Sequence, residues 1–156
     1  MNTILIKQIE NLDNDNLLSY LCNTTAILNE MLENINWVGF YFSDNSKLIL
    51  GPFQGKIACT PLSFNKGVCA KSYNTKEVII VPDVHKFEGH IACDSNSQSE
   101  IVLPILYNGE CIGVLDIDSP IINRFNNDDA ETLIVITQLI TNKIINNLDT
   151  FNAFIQ

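Results

Sequence analysis

Apolar and polar residues along this chain change period several times, and each change marks an element. From Asp13 to Asn34, Leu17, Leu18, Leu21, Leu28, Met31 and Leu32 recur at close to helical spacing, which predicts one amphipathic helix. "NWVGFYFS" (Asn36 to Ser43) is aromatic and alternating, the pattern of a strand. "KLILG" (Lys47 to Gly51) is predicted to pair with it across the turn Ser43 to Ser46. The middle, Gly51 to Gln98, has weaker periodicity. It predicts a loop, a short helix near Val68 to Asn74, a strand over Glu77 to Val81 and then a long loop. "SEIVLPILY" and "ECIGVLDID" are strands joined by Tyr107 to Glu110, where Asn108-Gly109 is a strong hairpin signal. Asn126 to Phe151 opens with acids and carries apolar residues at helical spacing, predicting one long C-terminal helix. With no internal repeat and no Pro-, Gly- or Ser-rich linker, residues 1–156 read as a single α+β domain. A central, mostly antiparallel sheet is expected, with the N- and C-terminal helices packed on one face.

Alternation also sorts side chains by face. In "ECIGVLDID", Cys111, Gly113, Leu115 and Ile117 share one face, which the two aliphatic residues assign to the core; Asp116 and Asp118 share the other. In the first strand Val38, Phe40 and Phe42 form the apolar face, so Trp37 and Tyr41 look out on the side of the two aspartates. Solvent exposure alone accounts for many such acids. Neighbouring like charges on one face are nevertheless unfavourable unless something cationic lies between them. With Glu100 opening the paired strand, three carboxylates and an aromatic wall would suit a small ligand bearing an ammonium group.

Charge points the same way. Nine Lys and Arg against 18 Asp and Glu leave a formal net of -9, which argues against nucleic acid and anionic membranes as partners. The first residues lack a basic leader followed by an apolar run. The longest apolar stretch, Leu133 to Ile140, is interrupted by Thr137 and Gln138, too short for a membrane span. A cytoplasmic protein is expected, in which five cysteines serve as reduced or redox-active thiols rather than as a structural disulfide framework.

Two of those thiols have bland expectations: Cys22 as a buried helix residue, Cys111 as a core residue. Cys59, Cys69 and Cys93 lie in or beside loops. Cys69 follows Gly67 at a predicted helix N-terminus, a setting that lowers a thiol pKa. Three such thiols close in space would let one attack a substrate and another resolve the product as a disulfide. A zinc site from His85, His90, Cys93 and one more thiol competes with this, but no pair has the short spacing of structural zinc sites. A Cys–His hydrolase using His90 and Cys93 has no specific support, and either histidine could simply order the loop.

The motifs "NWVGFYF", "LGPFQGKIACT", "KGVCA", "VPDVHKFEGHIACDSNSQSEIVLPI" and "GVLDIDSP" resemble, in order and spacing, the free methionine-R-sulfoxide reductases, which are single GAF-domain enzymes. The resemblance spans residues 36–129. One departure is Ala70, where the family usually has glycine. The resemblance implies that Cys93 attacks the sulfoxide sulfur, that Cys59 resolves the product as a disulfide, and that Cys69 is the third redox cysteine. Whether Cys59 or Cys69 is the main resolving thiol stays open. It implies that Glu100, Asp116 and Asp118 hold the substrate, free methionine-R-sulfoxide, between Trp37 and Tyr41. It also implies a thioredoxin-type reductant and no metal or organic cofactor. The segment between Cys93 and Glu100 is expected to act as a mobile lid, and a homodimer through the terminal helices is expected. The competing expectation is a non-catalytic GAF module that binds a small ligand and regulates a partner. Three loop thiols and the lack of an attached effector weigh against it.

Overall fold

The computed structural model describes residues 1–12 and 15–156, and its centre is a five-stranded antiparallel sheet. The strands are β1 (Trp37–Ser43), β2 (Leu48–Gly55), β3 (Ile79–Val81), β4 (Ser99–Tyr107) and β5 (Glu110–Ser119), in the spatial order β2-β1-β5-β4-β3. Four helices cover one face: α1 (Thr3–Glu10), α2 (Leu17–Met31), α4 (Asn127–Ile145) and α5 (Leu148–Phe154). Their apolar stripes meet Val38, Phe40 and Phe42 of β1, Ile101, Leu103 and Ile105 of β4, and Leu115 and Ile117 of β5. The fifth helix, α3 (Val68–Thr75), packs on the opposite face, where a second cluster forms around Trp37, Tyr41, Cys69, Val102 and Val114. The sheet thus separates a main core from a functional side.

Several sequence signals are met in detail. Asn108 and Gly109 both have positive φ, 51° and 77°, as the two-residue turn between β4 and β5 demands. Pro52 is tolerated because β2 is an edge strand. Pro104 is tolerated because β3 pairs with β4 only up to Val102 and leaves no partner for a missing N–H. The abundance of asparagine also has a local cause. Asn2, Asn16 and Asn126 cap α1, α2 and α4 through their side-chain oxygens, and Asn34, Asn45 and Asn123 occupy left-handed turn positions.

The first predicted helix is shorter than its apolar pattern, running from Leu17 to Met31, with Asp13 outside the described residues; α1 ahead of it was not anticipated. Its buried stripe is Leu17, Tyr20, Leu21, Thr24, Thr25 and Leu28, in which Thr24 and Thr25 bond to the carbonyls of Tyr20 and Cys22 and so lose their polarity. Cys22 lies off that stripe and is exposed, contrary to the burial expected of it. Cys111 is buried, but on the other face. A bulge pairs Leu106 with Cys111 and Ile105 with Gly113, leaving Ile112 unopposed; alternation restarts there, so Ile112 joins the main core and Cys111 the second cluster. The C-terminal helix breaks at Asn146–Asn147, where the Asn147 amide donates to the Lys143 carbonyl and α5 starts afresh to bring Phe151 edge-on to Phe42 at 5.0 Å.

Candidate functional site

The site grows from three adjacent strands. On β1, Trp37 and Tyr41 stand two positions either side of Gly39, with ring centroids 5.9 Å apart, and Phe53 of β2 stacks on Trp37 at 5.5 Å. Gly39 makes this possible: a Cβ there would lie 2.5 Å from the Trp37 ring and from Phe53 Cβ. Both polar tips are used. Trp37 Nε1 donates to the Lys56 carbonyl at 3.2 Å and Tyr41 Oη to the Cys59 carbonyl at 2.8 Å, so the aromatic wall holds the loop between β2 and α3 in place.

The acids come from the next two strands. Glu100 of β4 pairs directly with Asp118 of β5, and Asp116 follows on the same face as Asp118, so the three carboxyls converge as strand alternation predicted. Glu100 and Asp116 are buried and Asp118 is partly buried. Burial is the first cause that pushes all three carboxyls well above the ordinary carboxylate range. The neighbouring acid is the second: Asp118 for Glu100, Glu100 for Asp116, and Asp116 for Asp118. Among the described residues Asp116 Oδ1 is buried without a hydrogen-bond partner.

The thiols surround these acids. Cys59 and Cys93 form a disulfide with Cα atoms 5.5 Å apart, joining the loop after β2 to the loop before β4; Cys93 is exposed and Cys59 half-buried. Cys69, second residue of α3, is buried and donates its S–H to Asp116 Oδ2 at 3.4 Å. The helix N-terminus is therefore where the sequence placed it, but the thiol is not activated. Burial first, and then the Asp116 and Glu100 carboxylates, raise its pKa well above the ordinary thiol value.

One pocket is lined by Trp37, Tyr41, Cys69, Cys93, Glu100, Asp116 and Asp118, which includes every sequence-predicted site residue except Cys59; its neighbour Ala58 reaches the same cavity. Of the other lining groups, His90 entered the sequence reading only as a zinc ligand, a hydrolase partner or a loop-ordering residue, and Lys66 with no role of its own. His90 Nε2 lies 3.4 Å from Glu100 Oε2, and Lys66 lines the same space. Asn36 donates to Asp94 Oδ2 at 3.1 Å and to Ser97 Oγ at 3.0 Å, while Lys56 Nζ sits 3.8 Å from Asp94 Oδ1. These contacts pin the segment expected to act as a lid from both sides of Asn96, and Ser97 is buried. Only the short spacing of His90 to Cys93 hinted at any of this.

The competing zinc set is not assembled. Cys93 is bonded to Cys59, and His85 is exposed and paired with Asp83 at 3.0 Å. Among the described residues, Cys69, Glu100 and Asp116 are grouped closely enough to share a metal, with ligand atoms within 4.8 Å of one another. A cation there would have to displace the protons these groups hold.

The GAF domain family profile matches residues 13–144. The free methionine-R-sulfoxide reductase of Escherichia coli is 50% identical over 116 residues, 74% of this chain and 70% of that protein. The chain belongs to the free methionine-R-sulfoxide reductase family of GAF domains. Solved members agree in shape. Free methionine-R-sulfoxide reductase from Neisseria meningitidis, determined in complex with its substrate, superposes with a TM-score of 0.86 at 39% identity, over 89% of this chain and 85% of that one. The reduced form of fRMsr of Staphylococcus aureus gives 0.86 at 47% identity, over 91% and 94%.

Stability of this reductase-family domain should carry the mark of the acid cluster. A carboxyl whose folded pKa is raised binds protons that the unfolded chain releases. Its contribution is fully present below the ordinary carboxylate value of about 4 and is lost as pH rises toward the raised value. Asp118→Asn removes one such group. Its Tm should exceed that of the wild type, by about 2–4 °C for each kcal/mol recovered. The gap should be wider near about pH 8 than near about pH 5. Thermal scans at both pH values that gave equal gaps would show Asp118 unperturbed.

Proposed function

We propose that this chain reduces free L-methionine-R-sulfoxide to methionine, with Cys93 as nucleophile, Cys59 as resolving thiol and Glu100, Asp116 and Asp118 as the substrate-holding acids. The observation that carries the reading is the Cys59–Cys93 disulfide at the mouth of a pocket floored by three high-pKa carboxyls. The Cys93 thiolate attacks the sulfoxide sulfur while a carboxyl protonates the oxygen, a poor leaving group until it is protonated. Oxygen passes to Cys93 as a sulfenic acid, the substrate sulfur gains the two electrons Cys93 loses, and methionine departs. The Cys59 thiol then attacks Cys93, hydroxyl leaves as water, and the disulfide forms.

The rest of the site fits the free amino acid. Asp116 and Asp118 suit its ammonium group, absent from a methionine within a protein chain, and Trp37 and Tyr41 flank its S-methyl end. Lys66 is the lining cation available to its carboxylate. A dithiol reductant of the thioredoxin type would reopen the disulfide, which places the cycle in a reducing compartment such as the cytoplasm; no metal or organic cofactor enters it. Among the described residues no helix is long and apolar enough to cross a membrane. A homodimer through the terminal helices, where Ile4 and Leu18 are exposed, is part of the same proposal.

The test couples thioredoxin, its reductase and NADPH to free methionine-R-sulfoxide. NADPH is expected to be consumed with this substrate and not with methionine; no consumption by freshly reduced protein refutes the function. Cys59→Ser should release one methionine per chain and then stall. Sustained thioredoxin-driven turnover by that variant would transfer the resolving role to Cys69.

A further inference from the structure

Glu100 lies beside a side chain that is neither an acid nor a thiol. His90 lies on the loop three residues before Cys93, and its Nε2 is 3.4 Å from Glu100 Oε2. Both side chains are largely buried, and His90, 13% exposed against 7% for Glu100, is the more accessible of the two. The neighbouring carboxyls of Asp116 and Asp118 have pKa values raised by the same burial and mutual repulsion. An acid buried in this way that gives up a proton in every catalytic cycle needs a path for its return.

We propose that His90 is the proton inlet and positioning residue of Glu100, carrying a proton from solvent to the buried carboxyl after each sulfoxide is reduced. The inference rests on the reductase reading with Glu100 as the acid. In that step the Cys93 thiolate and protonated Glu100 act together. The sulfur–oxygen bond of the substrate breaks, the oxygen goes to Cys93 with the Glu100 proton, and Glu100 is left ionised. The imidazole takes a proton from water on its open side, passes it across the contact to Glu100 and returns to neutrality. One proton enters for the one given up, and no electrons move in the reset. At 3.4 Å the two groups are within ion-pair distance but not aligned as a hydrogen bond, and catalytic contacts of this kind tighten once substrate is bound.

The charge states of the pair suit a carrier. Burial lowers the His90 pKa, so the ring is neutral at rest and holds a proton only in transit, while Glu100 is held high by burial and by Asp118. The other titratable groups facing the pair are Asp116 and Asp118 of β5, Cys69 of α3, Tyr41 of β1 and Lys66, with Cys93 and Asp94 on its own loop. Positioning follows from the same contact: it ties the loop that carries the nucleophile to the strand that carries the acid.

Two variants of the intact chain, assayed with free methionine-R-sulfoxide and saturating thioredoxin, test this. His90→Gln keeps a hydrogen-bonding group beside Glu100 but no titrating nitrogen. Below the raised pKa of Glu100 it should release the first methionine at close to the wild-type rate and then turn over roughly 10- to 100-fold more slowly, with the loss growing as pH rises. His90→Ala should lose a similar factor and recover part of it on addition of imidazole, a rescue that a merely structural role would not give. Wild-type kcat for His90→Gln between about pH 6 and 9, or a loss in His90→Ala that imidazole leaves unmoved, overturns the inference. An inactive wild type overturns the reductase reading itself, and this inference with it.

Discussion

Replacing Cys93 by serine is expected to abolish sulfoxide reduction, lowering thioredoxin-coupled turnover by on the order of 10³-fold or more. Attack on a sulfoxide needs a soft, ionisable nucleophile. A serine hydroxyl is neither deprotonated at neutral pH nor able to carry the oxygen as a sulfenic acid. No other thiol is placed to substitute. Cys69 is buried, its proton is held by Asp116, and the surrounding carboxylates raise its pKa further. Cys59 lies across the disulfide on a loop whose carbonyls are held by Trp37 and Tyr41, and its side chain does not line the pocket. The variant should therefore bind substrate and release no methionine even in a single turnover, whereas Cys22→Ser, remote on α2, should behave as wild type. Methionine release by Cys93→Ser at even one equivalent per chain would sink the assignment and point to Cys69.

How far the sequence carried this picture depends on which physical fact each residue obeys. Strand alternation sees only which side of its own strand a residue occupies, and for Trp37, Tyr41, Asp116 and Asp118 that was enough, because β1 and β5 pair with no bulge between Trp37 and Phe42. The same rule misplaced Cys111, since the bulge at Ile112 follows from how the hairpin closes rather than from apolar pattern. Cys22 failed for a related reason: Thr24 and Thr25 are buried by satisfying helix carbonyls, and a hydropathy pattern counts them as polar. Cys69 was correctly set at a helix start, but a thiol pKa depends on what faces it, and that was supplied by β4 and β5 from far along the chain. The contacts of His90 with Glu100 and of Asn36 with Asp94 and Ser97 are likewise long-range pairings that no local spacing encodes.

Glu100→Gln should have the second largest effect, and of a different kind from Asp118→Asn. Glutamine keeps the size and part of the hydrogen bonding of Glu100 but has no acidic proton, so the sulfoxide oxygen is no longer protonated as it leaves. General acid catalysis of this sort is worth about 10²- to 10⁴-fold, and the loss is expected in kcat with KM little changed. Asp118→Asn instead weakens a charge-assisted contact to the substrate ammonium of about 1.5–3 kcal/mol, so KM should rise on the order of 10- to 100-fold with kcat largely kept. The pH profile separates the roles. Glu100 is the most deeply buried of the three acids, and its pKa is raised by burial and by Asp118, so wild-type kcat should fall as pH climbs through that raised value. Removing the Asp118 charge takes away the second cause of the shift, so in Asp118→Asn the fall in kcat should begin at lower pH. In Glu100→Gln this limb should be absent, leaving a low, flat rate. If Glu100→Gln instead raises KM alone, while Asp116→Asn loses kcat and the basic limb, the acid is Asp116, whose buried, unpartnered Oδ1 would then be the oxygen facing the substrate.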